Sequence, residues 1–106
     1  MDKERKNKIL NELKREIIAI LGFKFVKLIL FGSYARGEEK EFSDIDLLLL
    51  VREELTKEEK EKIYTTVSNI SLENDVVISL IDYPDAIFNS FNTPFLQSVK
   101  GEGIEI

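Results

Sequence analysis

Leu47 to Val51 is an unbroken apolar run, and Asp44-Ile45-Asp46 leads straight into it. A short continuous apolar run of this kind suits a strand covered on both faces, the usual situation in a sheet carrying parallel pairing. Two carboxylates at the mouth of such a strand cost free energy unless a cation offsets them. An earlier run, Phe25 to Phe31, is rich in β-formers and apolar except at Lys27, and it breaks at Gly32-Ser33. Tyr34, Ala35 and Arg36 provide one helical turn before Gly37. Glu38 to Phe42 read as an exposed loop, and the second strand is expected over Asp44 to Val51.

The flanking segments supply the covering layers. Ile9, Leu13, Ile17 and Leu21 form one stripe of a helix over residues 3 to about 21, and Gly22 stands where a C-terminal cap belongs. Thr56-Lys57-Glu58-Glu59 is a capping box, which predicts a helix running to about Ile70 with Ile63, Val67 and Ile70 buried. Asp75 to Ile81 is expected as a third strand. Pro84 and Pro94 each suit the first turn of a helix, Thr93 caps the second of these, and Gly101 stops it. Ile87, Phe88, Phe91, Phe95, Leu96 and Val99 form the apolar side of this last section, facing the open sheet, a partner protein, or a second copy in a homodimer. The expected fold is α/β, a small mixed sheet with flanking helices, in one domain spanning residues 1–106.

Composition narrows the chemistry. Histidine and cysteine are both absent, which excludes a Ser-His-Asp triad, a thiolate nucleophile and sites ligated by His or Cys. Carboxylates remain, and their oxygens prefer hard cations such as magnesium. A net charge of -5 argues against strong non-specific nucleic-acid binding. The basic cluster from Lys3 to Arg15 reads as a solvated helix face. No apolar run approaches membrane-spanning length, and a cytoplasmic location is expected.

In a strand Asp44 and Asp46 point to the same face, roughly 6.6 Å apart at about 3.3 Å per residue, close enough to share one metal ion. A third carboxylate belongs on a neighbouring strand. The helix-containing link from Val51 to Asn74 favours a parallel crossover, which places Asp75 beside the pair and Asp82 about 23 Å further on. Asp75 is therefore the expected third member. Gly32-Ser33 lets a phosphate approach the backbone, Ser33 adds a hydroxyl, and Arg36 a planar fork for phosphate. Either motif alone is a weak signal; their order, spacing and flanking strands together are specific.

These residues resemble the nucleotidyltransferase superfamily that includes DNA polymerase β, whose signature is Gly-Ser followed about a dozen residues later by Asp-x-Asp. GSYARG at Gly32–Gly37 and SDIDL at Ser43–Leu47 are more closely similar to the minimal nucleotidyltransferases, the MNT proteins. The resemblance implies that Gly32 and Ser33, with Arg36 and Ser43, bind ATP, that Asp44 and Asp46 hold Mg²⁺, and that Asp75 is the third acidic residue. Two ions are expected, about 4 Å apart. It also implies a partner: a separate HEPN-domain toxin, neutralised by transfer of AMP to a tyrosine. The HEPN signature needs a histidine, so this chain corresponds to the antitoxin half.

Two other readings compete. A catalytically silent MNT-fold antitoxin would neutralise its partner by binding alone. A phosphoacceptor signalling domain also clusters aspartates, but at the C-terminal ends of parallel strands, whereas Asp44, Asp46 and Asp75 are expected to begin theirs.

Overall fold

The computed structural model describes residues 1–40 and 43–106; Glu41 and Phe42, part of the expected loop, lie outside the described residues. In chain order the elements are α1 (Lys3–Leu21), β1 (Phe25–Phe31), α2 (Ser33–Arg36), β2 (Ile45–Val51), α3 (Lys57–Asn74), β3 (Ile78–Pro84), α4 (Asp85–Ser90), α5 (Pro94–Glu102) and β4 (Ile104–Glu105). The sheet order is β3-β2-β1-β4. β1 pairs antiparallel with both β2 and β4, while β2 and β3 are parallel, as the helical crossover through α3 requires.

The all-apolar second strand is explained by its neighbours. Leu47, Leu48 and Leu49 are each 0% exposed because alternate side chains enter different cores. On one face Leu47, Leu49 and Val51 meet Ile9, Leu13 and Ile17 of α1 and Ile63, Val67 and Ile70 of α3. On the other, Leu48 and Leu50 meet Ile29 and Val99, with Phe31, Tyr83, Phe88 and Phe95 packed around them. The ring of Phe95 stands edge-on to Phe31 at 5.4 Å and stacks on Tyr83 at 6.2 Å. The C-terminal aromatic section thus covers the sheet through Phe88 and Phe95, leaving Phe91 exposed.

Local chemistry sets the ends of the elements. The capping box forms as its sequence predicts: the Glu59 amide donates to Thr56 Oγ1 at 3.1 Å, and the Thr56 amide donates to Glu59 Oε1 at 2.9 Å. Lys24 Nζ reaches the same Glu59 oxygen at 2.8 Å, tying the turn before β1 to the start of α3. Thr93 caps α5 with Pro94 in its first turn.

Several boundaries differ from expectation, β2 among them, which starts at Ile45 and not at Asp44. α3 continues past Ile70 to Asn74, since nothing in Ser71-Leu72-Glu73 breaks a helix. Asp75 then adopts a left-handed conformation, φ 52° and ψ 48°, as the C-cap, so β3 starts at Ile78 and not at Asp75. Aspartate is one of the few residues that tolerate this conformation. Pro84 closes β3 at a sheet edge, where the missing amide removes no ladder bond, and α4 begins after it. Helix α5 passes through Gly101 to Glu102, and Gly103 leads into β4, an element without a sequence signal. Among the described residues, no helix is long and apolar enough to cross a membrane.

Candidate active site

The site forms where β1 and β2 meet at one end of the sheet. β1 ends in Gly32, which has φ 75° and ψ -156°, a conformation essentially reserved for glycine. That geometry turns the chain from strand into α2 within one residue, and the Ala35 and Arg36 amides both donate to the Gly32 carbonyl at 3.1 Å. Tyr34 anchors the turn by burying its ring in the α1/α3-side core. The first-turn amides of a helix have no carbonyl partner within it, so the Gly32-Ser33 step directs N–H groups outward.

Asp46 pairs in register with Phe31 on β1 and with Ser79 on β3. It packs over Gly32 so closely that a methyl group there would lie 3.2 Å from Asp46 Cγ and overlap the carboxylate oxygen. The glycine is therefore required twice, for its backbone conformation and for the volume Asp46 occupies. Burial raises the pKa of Asp46 above the usual carboxylate range, the negative charge of Asp44 raises it further, and Arg36 offsets part of this. Asp44 lies exposed, one residue ahead of β2.

The remaining expected residues divide. Arg36 belongs to the site, but carboxylates already hold its guanidinium: Nη1 donates to Glu102 Oε2 at 2.9 Å, and Nε lies 3.3 Å from Glu38 Oε1. The Ser43 hydroxyl accepts from the Lys40 amide at 2.7 Å, just ahead of Asp44. Asp75 sits exposed on the α3–β3 turn, three residues before β3. The Ile45 amide donates to the Val77 carbonyl at 2.9 Å, so Val77, just ahead of β3, and Ser79 on it flank the aspartate pair. Asp82 is set apart, opposite Leu49 and accepting from the Tyr64 hydroxyl at 3.1 Å.

Glu102 is the site residue that motif reading missed. It lies 70 residues from Gly32 in sequence, yet its Oε1 receives the Gly32 amide at 3.4 Å. No local pattern signals such a contact.

A carboxylate pair only partly compensated by Arg36, with one pKa pushed up, fits a single divalent cation, whose other positions water and substrate phosphates would fill. Among the described residues, no three His, Cys, Asp or Glu side chains gather as a metal-holding group. The pair could hold one of the two expected ions; among the described residues no carboxylate cluster stands ready for a second.

A strand–glycine turn–strand unit with paired aspartates on a mixed sheet defines a nucleotidyltransferase. The family described as "Polymerase beta, Nucleotidyltransferase" matches residues 7–104, and this chain belongs to it. Protein MJ0141 of Methanocaldococcus jannaschii, named as a candidate protein adenylyltransferase, is 44% identical over 98 residues, covering 92% of this chain and 95% of that protein. A solved complex of a tri-AMPylated Shewanella oneidensis HEPN toxin with its MNT antitoxin is similar at TM-score 0.59 and 25% identity, over 99% of this chain and 71% of that one. Spectinomycin adenyltransferase AAD(9) from Enterococcus faecialis, solved with ATP and spectinomycin, shares the fold at TM-score 0.71 and 23% identity, over 94% of this chain and 46% of its own.

Proposed function

We propose that this chain transfers AMP from ATP to a hydroxyl of a partner protein, a tyrosine of a HEPN toxin, and acts as the antitoxin of that pair. The observation that carries the reading is Asp46 packed over Gly32 with Asp44 beside it: paired carboxylates placed against a turn whose amides can face a phosphate. The names of the M. jannaschii relative and of the Shewanella complex support AMP as the group and a HEPN protein as acceptor.

The acceptor oxygen attacks the α-phosphorus, the bond to the bridging oxygen of the β-phosphate breaks, and pyrophosphate leaves as the hydroxyl proton is lost. Gly32 and Ser33 hold the phosphate chain, the Ser33 hydroxyl adding a donor. Asp44 and Asp46 would hold Mg²⁺, which when bound neutralises phosphate charge as the leaving group departs. Ser43 steadies the approach to Asp44 through the bond its hydroxyl accepts from the Lys40 amide. Asp75 is proposed to receive the acceptor proton from the α3–β3 turn. A cytoplasmic location, and a homodimer using exposed residues such as Phe91, remain part of the proposal.

One observation favours a second reading, neutralisation by contact alone: among the described residues, the start of β3 and the residue before it set Ser79 and Val77, and no carboxylate, beside the aspartate pair. The test is calorimetric titration of ATP with and without Mg²⁺ into the wild type and the Asp44→Asn/Asp46→Asn variant, followed by transfer of α-labelled ATP to the HEPN partner. Binding that needs both metal and aspartates, with label on the partner, supports the transferase. Full neutralisation by the double variant, with no label transferred by the wild type, favours contact.

A further inference from the structure

The cation that should meet the phosphates is already engaged. Arg36 is the site's cationic side chain, and both carboxylates holding it come from this same chain. The two differ in kind. Glu38 follows two residues after Arg36 and has a 64% exposed side chain, whereas Glu102 arrives from the far end of the sequence and is 23% exposed. Glu102 also receives the Gly32 amide, so its two oxygens span the backbone donor and the guanidinium of the phosphate-binding turn. A carboxylate across an N–H and a guanidinium makes the contacts a phosphate oxygen pair would make there.

The backbone behind Glu102 is fastened. β4 pairs with β1 through Ile104 opposite Leu30 and Glu105 opposite Ile29. The Ile106 amide donates to the Leu28 carbonyl at 2.9 Å, and Lys14 Nζ donates to the Ile106 carbonyl at 2.7 Å. Glu102 is the last residue of α5, so that helix and this short strand hold its Cα beside Gly32 from both sides. The side chain can leave by rotating about its own bonds while the strand stays paired.

We propose that Glu102 is a built-in competitor for the triphosphate: it occupies the Gly32–Arg36 anion seat without ligand and must swing away for Arg36 to reach the nucleotide. This rests on the nucleotide-binding reading above and adds to it a gate on the same site. Its consequence is that resting affinity for the nucleotide is held down, and a partner contact that draws Glu102 aside would raise it.

The test is a double-mutant cycle on the dissociation constant for Mg-ATP, measured by calorimetry for the wild type, Glu102→Gln, Arg36→Ala and the double variant, each first checked for a cooperative melt. An exposed-to-half-buried ion pair of this type limits the effect to about fivefold. Glu102→Gln should tighten binding by about that factor, and the same change in the Arg36→Ala background should do far less, because no guanidinium remains to release. Unchanged or weaker binding by Glu102→Gln overturns the gate and leaves the nucleotide site standing. Equal tightening in both backgrounds also overturns it, since a general charge effect would then suffice. Absence of binding in every folded variant removes the nucleotide reading and the gate together. A purely structural Glu102 would lower the melting temperature and leave the dissociation constant where it was.

Discussion

Gly32→Ala separates backbone strain from displacement of the Asp46 carboxylate, proposed above to hold the metal, because a second glycine provides the control. At Gly32 an alanine must adopt φ 75° and ψ -156°, and conformations of this kind cost on the order of 1–3 kcal/mol. Its methyl must also move the Asp46 carboxylate, whose Cγ would lie 3.2 Å away. Gly37 has φ 71° and ψ 23°, an ordinary left-handed position, and a methyl group added there would meet no atom within 4 Å. There alanine costs about 1 kcal/mol and disturbs nothing else. For a domain near this size, 1 kcal/mol moves the melting temperature by about 4–8 °C. Gly37→Ala should therefore melt a few degrees lower and bind Mg-ATP as the wild type does. Gly32→Ala should lose more stability and also lose metal-dependent binding, read by calorimetry on the still-folded protein well below its melt. Wild-type Mg-ATP affinity in Gly32→Ala would refute the claim that Asp46 occupies the space over this glycine to bind the ion.

Three further outcomes follow from the same geometry. Asp44→Asn should raise the melting temperature of the metal-free protein by the equivalent of about 0.6 kcal/mol, the repulsion of two charges roughly 6.6 Å apart in water, and should remove any stabilisation that added Mg²⁺ gives the wild type. Val77→Asp should add a third carboxylate beside Asp44, tightening Mn²⁺ binding in calorimetry and lowering the metal-free melting temperature; unchanged Mn²⁺ affinity would count against the β2–β3 register. The hydrogen bond from Lys24 holds the Glu59 carboxyl below its usual pKa, helped by the Thr56 amide. A depressed folded value means the contribution is present above the unfolded pKa of about 4.3 and lost as pH falls through the folded one. Melting curves from pH 6 to pH 3 should accordingly show a shallower acid loss for Glu59→Gln than for the wild type.

Much of the site is legible because its information is local. Asp44 and Asp46 stand two residues apart where β2 begins, with Ile45 alone between them, so their pairing can be read from the strand period of two before any tertiary structure is known. Gly32-Ser33 is a chain reversal written in the one residue that can make it. The parallel pairing of β2 with β3 follows from the length of the link that holds α3. The expected start of β3 at Asp75 fails for a different reason: Asp75-Val76-Val77 has the composition of a strand start, and only the left-handed cap at Asp75 delays β3 to Ile78. The displaced start moves Asp75 out of the strand row and puts Val77 and Ser79 there. Glu102 and β4 were illegible for a third reason. Their partners lie at the opposite end of the chain, and Gly101 looks like a helix stop although α5 continues through it.

The pairing of β4 with β1 also orders the assembly of the protein in time. Leu30 pairs with Leu47 across a short stretch of chain and with Ile104 across a stretch more than four times longer. Closing the longer loop costs about 1.3 kcal/mol more conformational entropy, in exchange for a strand of only two residues. The β1–β2 hairpin-like unit should form early and the C-terminal strap dock late. The glycine turn and its aspartates would then be in place before Glu102 arrives. A chain caught at that stage, folded except for its last strand, would present an open anion seat to any nucleotide present during refolding.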